Sequence, residues 1–326
     1  MTAAPPLTFA GHTAVFHLHS PDASIRRGWR QIMGSFLQPT NQPATAALHL
    51  TLTESLPPWP HEQRLYQDAG PGAVIDVYAD DTYWWLHYHD GALVQVPRQQ
   101  GLTNETAVCR GWLTPQAITV GRLEDVTYTS LAPILRRRGI FLLHAFAASR
   151  HDQTCLIIGP SGSGKTTTGL WLLSRGWKLL ANDVVMLREQ DDQIWAAPTP
   201  NLVGIRPPTL TFLPQLSRRL ALDPRAAATL TADDVANGRF ADPAPVTHLY
   251  FLAGSRQADC AVRPLPDSLA VTRLMAESVD RWDTAMLPAH LAFLAKLAGQ
   301  ADTMALTLGN HPDKLAISFP VEARER

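Results

Sequence analysis

Between an apolar run at 154–158 and a segment of helical character beginning at Lys165, the chain reads Gly159-Pro160-Ser161-Gly162-Ser163-Gly164-Lys165-Thr166. Few stretches of eight residues restrict a fold as tightly. Its glycines permit backbone conformations closed to residues with a Cβ, so successive N–H groups can turn inward around a phosphate. A helix starting near Gly164 adds the positive end of its dipole. Lys165 supplies a flexible positive charge for the β- and γ-phosphates, the Thr166 hydroxyl is placed to ligate Mg²⁺, and Thr167 closes the binding segment. The pattern works only between a strand and a helix, so it implies an α/β nucleotide-binding core, with ATP and Mg²⁺ as expected ligands.

Composition bounds the rest. A chain of 326 residues, 45% hydrophobic and 17% charged, can bury one large core or two ordinary ones. With 28 Lys+Arg against 29 Asp+Glu the formal net charge is -1, so no bulk field exists to hold nucleic acid or an anionic membrane. Neither a basic, apolar leader nor a run long enough to span a bilayer is visible, and a soluble, cytoplasmic protein is expected. Cys109, Cys155 and Cys260 are odd in number and lack CxxC spacing, which predicts buried thiols.

The first part of the chain alternates strand-like runs (46–52, 73–78, 82–88, 117–120) with turns at Asp80-Asp81 and Asp90-Gly91, and predicts an antiparallel β-rich domain over 1–125. Trp84 and Trp85, adjacent on a strand, must face opposite sides. Arg26-Arg27-Gly28-Trp29-Arg30 reads as a solvated helix face. From Glu124 the spacing of Val126, Leu131, Ile134 and Leu135 is helical and ends in Arg136-Arg137-Arg138-Gly139, a cationic helix terminus expected to be solvated and to complement the dipole, with help in binding anions as the alternative. The second domain, 126–326, then reads as strand (140–148), turn, strand (154–158), P-loop, helix (165–174), strand (178–181) and a hairpin around Asp191-Asp192. Further strands at 247–253, 261–265 and 304–308 and helices at 267–279 and 288–297 follow. Residues 207–240 form either a flap or an irregular connection.

A P-loop specifies a nucleotide but not a reaction, so carboxylate and base partners are required. The strand Leu179-Leu180-Ala181 runs into Asn182-Asp183, where a carboxylate can reach Mg²⁺ or an acceptor hydroxyl; Asp183 could instead cap a turn, but with a P-loop just upstream the functional role is the expectation. Asn182 cannot be a base but can hold phosphate or a metal's water shell. His144, inside Phe141-Leu142-Leu143-His144-Ala145, is by its residues alone a core histidine.

Taken together, His144, the short hairpin, the P-loop with its helix ending at Arg175-Gly176-Trp177, and the strand into Asp183 resemble the catalytic core of the HPr kinase family, itself similar to that of PEP carboxykinase. The resemblance covers roughly residues 130–210. It implies a mixed α/β architecture, an N-terminal β-rich domain followed by a P-loop kinase core. It also places His144 by the transferred phosphate and makes Asp183 the base toward a serine hydroxyl. Two departures stand out: the first of the family's two acidic residues is Asn182 here, and its glycine-rich substrate-engaging segment is replaced by residues 198–207. Arg206, in that segment, could neutralise charge on the γ-phosphate or substrate, or be an ordinary surface arginine.

The sequence is closer in look to HPr-kinase-related enzymes that phosphorylate serine in ribosomally made precursor peptides, such as those of lasso peptides. In-line transfer of the γ-phosphoryl group of ATP to the serine of a peptide or small protein is the expectation. Phosphorylation of a small molecule such as a free amino acid, or an ATP-binding sensing module without transfer, are the alternatives. Self-association of identical copies is compatible with all three.

Overall fold

The structure is a computed structural model that describes residues 5–69, 73–98, 106–237, 240–254, 259–309 and 319. The chain divides into two units, Met1–Leu142 with Val279–Pro288, and Leu143–Ser278 with Ala289–Arg326. The boundary expected at 125/126 compares with a division after Leu142 and a later return of the chain to the first unit. The architecture is mixed α/β, and no helix among the described residues is long and apolar enough to cross a membrane.

In the first unit one eight-stranded sheet carries, side by side, Leu7–Ala10, Val15–His19, Ala46–Leu52, Ala107–Leu113, Ala92–Pro97, Tyr83–Tyr88, Val74–Ala79 and Arg64–Ala69. The sheet is not purely antiparallel: Phe16 pairs with Ala46, and Ala46 with Ala107, in parallel. The helix Ala23–Met33 is the reason for the first of these, because a crossover returns the chain to the same end of the sheet where a hairpin cannot. Asp22 caps that helix by accepting from Ser24 N at 2.8 Å. Trp29 is fully buried, and its Nε1 donates to Thr127 Oγ1 at 3.0 Å, while Arg27 and Arg30 are exposed. The Asp80 turn is as read, its carboxylate accepting from Thr82 N and Tyr83 N.

Two expectations fail here. Residues 117–120 are not a strand; Pro115–Thr119 is a short helix, because Thr114 accepts from Ala117 N and Pro115 takes the first helical position, local signals that outweigh a brief β-branched run. The arginines after Leu135 are not a solvated terminus either. The helix Leu123–Arg137 is nearly all buried, Arg136 forms an ion pair with Asp280 in which both side chains are 1% exposed, and Arg137 pairs with Asp283 and lies over the Trp84 ring. The acidic partners of Arg136 and Arg137 arrive from more than 140 residues downstream, so these two are spent on internal structure and are not available to anions.

In the second unit the main sheet runs Ala244–Pro245, Gln193–Ala197, Val184–Gln190, Ile140–Arg150, Gln153–Ile158, His248–Leu252, Asp302–Thr307 and Ala261–Pro264, with Lys178–Ala181 also paired to Ile140–Arg150. Gln153–Ile158 is antiparallel to Ile140–Arg150 and parallel to His248–Leu252. The helix Lys165–Ser174 lies close on this sheet: a Cβ on Gly169 would meet the Phe146 ring at 2.3 Å, so only glycine permits that approach. Cys155 and Ile157 contribute to the core beneath the helix, and since neighbours alternate, Leu156 and Ile158 face the other side. All three cysteines are unpaired, Cys109 and Cys155 buried and Cys260 half-buried.

The described residues of 207–240 pack as short elements rather than as a flap. The helices Pro207–Phe212, Pro214–Arg219 and Ala232–Ala236, with the small sheet of Val203–Ile205 and Ala228–Leu230, put Leu210, Leu213, Leu216 and Val235 into the same core as the P-loop helix. Positions 238 and 239 lie outside the described residues.

Candidate functional site

The P-loop leaves the sheet at Ile158 and enters the helix at Lys165. Gly162 and Gly164 take φ of +82° and +107°, values that side chains with a Cβ rarely adopt. Lys165 is 6% exposed, and its Nζ donates to Gly159 O at 2.6 Å and Pro160 O at 3.4 Å. Burial lowers its pKa, against the opposing pull of Asp183 and Glu277. Among the described residues no carboxylate forms a direct ion pair with this ammonium, and the Ser163 Oγ is buried without a hydrogen-bond partner. A desolvated cation resting on its own loop, with an orphaned hydroxyl beside it, fits a phosphate group. Thr166 is half-buried in the first turn. Thr167 is buried and shares a 2.8 Å hydrogen bond with Thr209, which ties the helix to Pro207–Phe212 rather than aiming that hydroxyl at a ligand.

The sheet brings His144 to this loop. Ala145 pairs with Ile158, and continuing that antiparallel register sets His144 opposite Gly159. Asp183 sits in the turn between Lys178–Ala181 and Val184–Gln190, and its carbonyl accepts from Ala145 N at 2.9 Å. The side chains meet: His144 Nε2 lies 2.7 Å from Asp183 Oδ1. The other ring nitrogen, Nδ1, lies 3.1 Å from Glu277 Oε2, and the backbone N of His144 donates to Glu277 O at 2.9 Å.

Flanked by two carboxylates, the imidazole is held as a cation. Burial opposes that charge, but the hydrogen bonds to Asp183 and Glu277 outweigh it and raise the His144 pKa to about 9. For Asp183, burial pushes upward, yet the His144 hydrogen bond, its charge and that of Lys165 together lower the pKa. Asp183 is therefore an ionised carboxylate, 47% exposed at its side chain, with one oxygen engaged by His144. Lys165, His144, Asp183 and Glu277 thus act on one another as a single charge cluster.

Asn201 aims Asp183. Wholly buried, its Oδ1 accepts from the backbone N of Asn182, Asp183 and Val184 at 3.3–3.4 Å and so fixes the turn. Asn182 itself is 5% exposed; its Nδ2 donates to Leu202 O at 3.1 Å, and its Oδ1 is buried without a hydrogen-bond partner. Arg206 is exposed, and its backbone carbonyl starts the helix Pro207–Phe212 by accepting from Thr209 N. Glu277 and Asn201 were not legible as site residues. Glu277 ends the helix Asp267–Ala276, 133 residues from His144, with no motif around it.

No protein-family model matches the chain. In sequence it is similar to the HPr kinase/phosphorylase of Bacillus licheniformis, 33% identical over 100 residues that make up 31% of this chain and 30% of that protein. It is also similar to the HPr kinase/phosphorylase of Geobacillus thermodenitrificans, 26% identical over 141 residues, 43% and 40% of the two chains. The matches thus span well under half the length of these relatives. A solved structure, the Hpr(Ser) kinase/phosphatase from Coxiella burnetii, superimposes with a TM-score of 0.30 at 12% identity, covering 54% of this chain and 90% of that one.

Proposed function

We propose that this chain, which is HPr kinase-like in sequence, is an ATP-dependent phosphotransferase that moves the γ-phosphoryl group onto the serine hydroxyl of a precursor peptide or small protein. The observation that carries the proposal is the His144–Asp183 pair opposite the first residue of the P-loop, coupled in charge to Lys165.

Backbone amides of the loop and the Lys165 ammonium would hold the phosphates. Thr166 and Asp183 would hold Mg²⁺, which when bound neutralises phosphate charge. Asp183, ionised and half exposed, accepts or orients the proton of the acceptor hydroxyl. The His144 imidazolium keeps a positive charge beside the transferred group and restrains the carboxylate. Arg206 is proposed to meet charge on the γ-phosphate or substrate from its exposed position. Phosphoryl transfer asks for little covalent chemistry, so positioning and preorganised charge are the protein's main contribution.

The test is incubation of purified protein with γ-labelled ATP, Mg²⁺ and a panel of serine-bearing peptides, small proteins and free amino acids, read by mass spectrometry. Label is expected on a peptide or protein serine, and to fall by roughly a hundredfold or more in Asp183→Asn and in Lys165→Ala. Label on a free amino acid alone would replace the acceptor with a small molecule. Tight ATP binding without transfer to any acceptor would instead make the chain a nucleotide-sensing module.

A further inference from the structure

Far from the P-loop in sequence, three metal-ligating side chains gather on one face of the first unit's sheet. Asp76 on Val74–Ala79 and His87 on Tyr83–Tyr88 are direct cross-strand partners. His89 lies just past the strand, yet its N donates to Val74 O at 3.1 Å, which prolongs the pairing. Alternation along a strand then places His89 on the same face as His87. One ligand atom from each of Asp76, His87 and His89 lies within 4.8 Å of the other two.

We propose that Asp76, His87 and His89 form a binding site for a divalent transition metal, Zn²⁺ being the ion that best suits two imidazoles and a carboxylate, with its fourth position open to water. The surroundings are those of a held site. The His87 ring is stacked on Trp59, with centroids 4.5 Å apart and planes at 23°, which fixes its orientation. The Asp76 side chain, 7% exposed, uses Oδ1 to accept from Gln67 Nε2 at 2.8 Å and Arg64 Nη1 at 3.2 Å. Outer partners of this kind orient a ligating carboxylate and leave the second oxygen for the ion. That oxygen, Oδ2, lies 2.7 Å from His89 Nε2.

Ligand atoms on a tetrahedral Zn²⁺ stand about 3.3 Å apart, from bonds of ~2.0–2.1 Å. The Asp76–His89 contact must therefore open slightly, while the His87 ligand atom already lies within 4.8 Å of the other two. His89, 48% exposed, is the ligand with room to move, whereas Asp76 and His87 are fixed by the hairpin. The nearby Arg64 cation opposes an ion electrostatically, but its side chain is 49% exposed and free to swing outward.

The experiment uses the untagged full chain, stripped with chelator and dialysed, titrated with ZnCl₂ by calorimetry and with Co²⁺ by visible absorption. One equivalent of Zn²⁺, and the visible bands of four-coordinate Co²⁺, are expected. Uptake should vanish in His87→Ala and in His89→Ala, weaken by about 10–100-fold in Gln67→Ala, and strengthen in Arg64→Ala. His89→Ala changes an exposed side chain, so a folded variant is expected, with circular dichroism as the check. Absence of stoichiometric uptake by the folded wild type, or uptake undiminished in His89→Ala, overturns the proposal.

Discussion

Glu277 offers the sharpest test of how the candidate site is charged. The neutral imidazole has one N–H, so only the imidazolium can donate to Asp183 and Glu277 at once. The rise of the His144 pKa from 6.5 to about 9 corresponds to roughly 3 kcal/mol in favour of the charged form. Asp183 makes the larger contribution, but it is half exposed and its share is screened by water, which leaves about 1–1.5 kcal/mol for the hydrogen bond to the more buried Glu277. Glu277→Gln keeps the side chain's size and one acceptor oxygen but removes the charge. It should weaken proton binding by His144 about tenfold, bringing the midpoint to about 8.

The assay is an NMR titration of the histidine ring carbons, with the His144 signal assigned by its loss in His144→Gln. Stability gives a second reading. Because the folded pKa of His144 lies above its unfolded value, the group's contribution is fully present below pH ~6.5 and is lost as pH rises through about 9. Wild-type protein should therefore lose stability across that window, by at most about 3 kcal/mol, and Glu277→Gln should lose less over the same range. The alkaline limb of the activity profile should fall with the same midpoint. An unchanged or raised His144 midpoint in a folded Glu277→Gln protein would refute the argument.

Other expectations follow from single contacts. Asn201→Ala removes the acceptor shared by three backbone amides, and should cost about 1–3 kcal/mol in urea denaturation while lowering turnover through a poorly aimed Asp183. Arg136→Met strands Asp280, whose carboxyl burial already pushes up to about 7, and should cost about 3–5 kcal/mol. The double variant Arg136→Met with Asp280→Leu should recover most of that loss, and a double variant as unstable as the single one would contradict the account.

What was legible in the sequence was what local chemistry dictates. The P-loop helix and the strand after it have the bounds expected, 165–174 and 178–181, because glycines, Lys165 and the return through Arg175-Gly176 punctuate them within a few residues. The hairpin turned at Asp191 and Asp192, where both residues adopt positive φ, as aspartates in tight turns can. What escaped was tertiary. The Arg136 and Arg137 partners, the Glu277 contact and the parallel pairs of the first sheet depend on segments brought together only when the chain closes. Residues 207–236 looked irregular because their helices are short and two of them start on prolines, while their buried leucines acquire meaning only against the P-loop helix.

Asn182 shows that the missing second carboxylate is not an interchangeable detail. In this fold its amide is built into the segment that aims Asp183: Nδ2 donates to Leu202 O, next to the Asn201 that accepts from the turn. An aspartate there would set a carboxylate oxygen against a carbonyl at a position only 5% exposed. Two acceptors facing each other without a proton, in a desolvated place, should cost about 1–3 kcal/mol. The variant's escape is to stay protonated, with a pKa raised by burial. A folded-state pKa above the unfolded value makes a carboxyl group more destabilising as pH rises past about 4, so the deficit of Asn182→Asp should be larger at pH 8 than at pH 5. Urea denaturation at the two pH values measures this directly. If Asn182→Asp proves as stable as wild type at pH 8 and phosphorylates faster, position 182 faces the nucleotide rather than Leu202, and Asp183 has lost a partner that the fold could still accept.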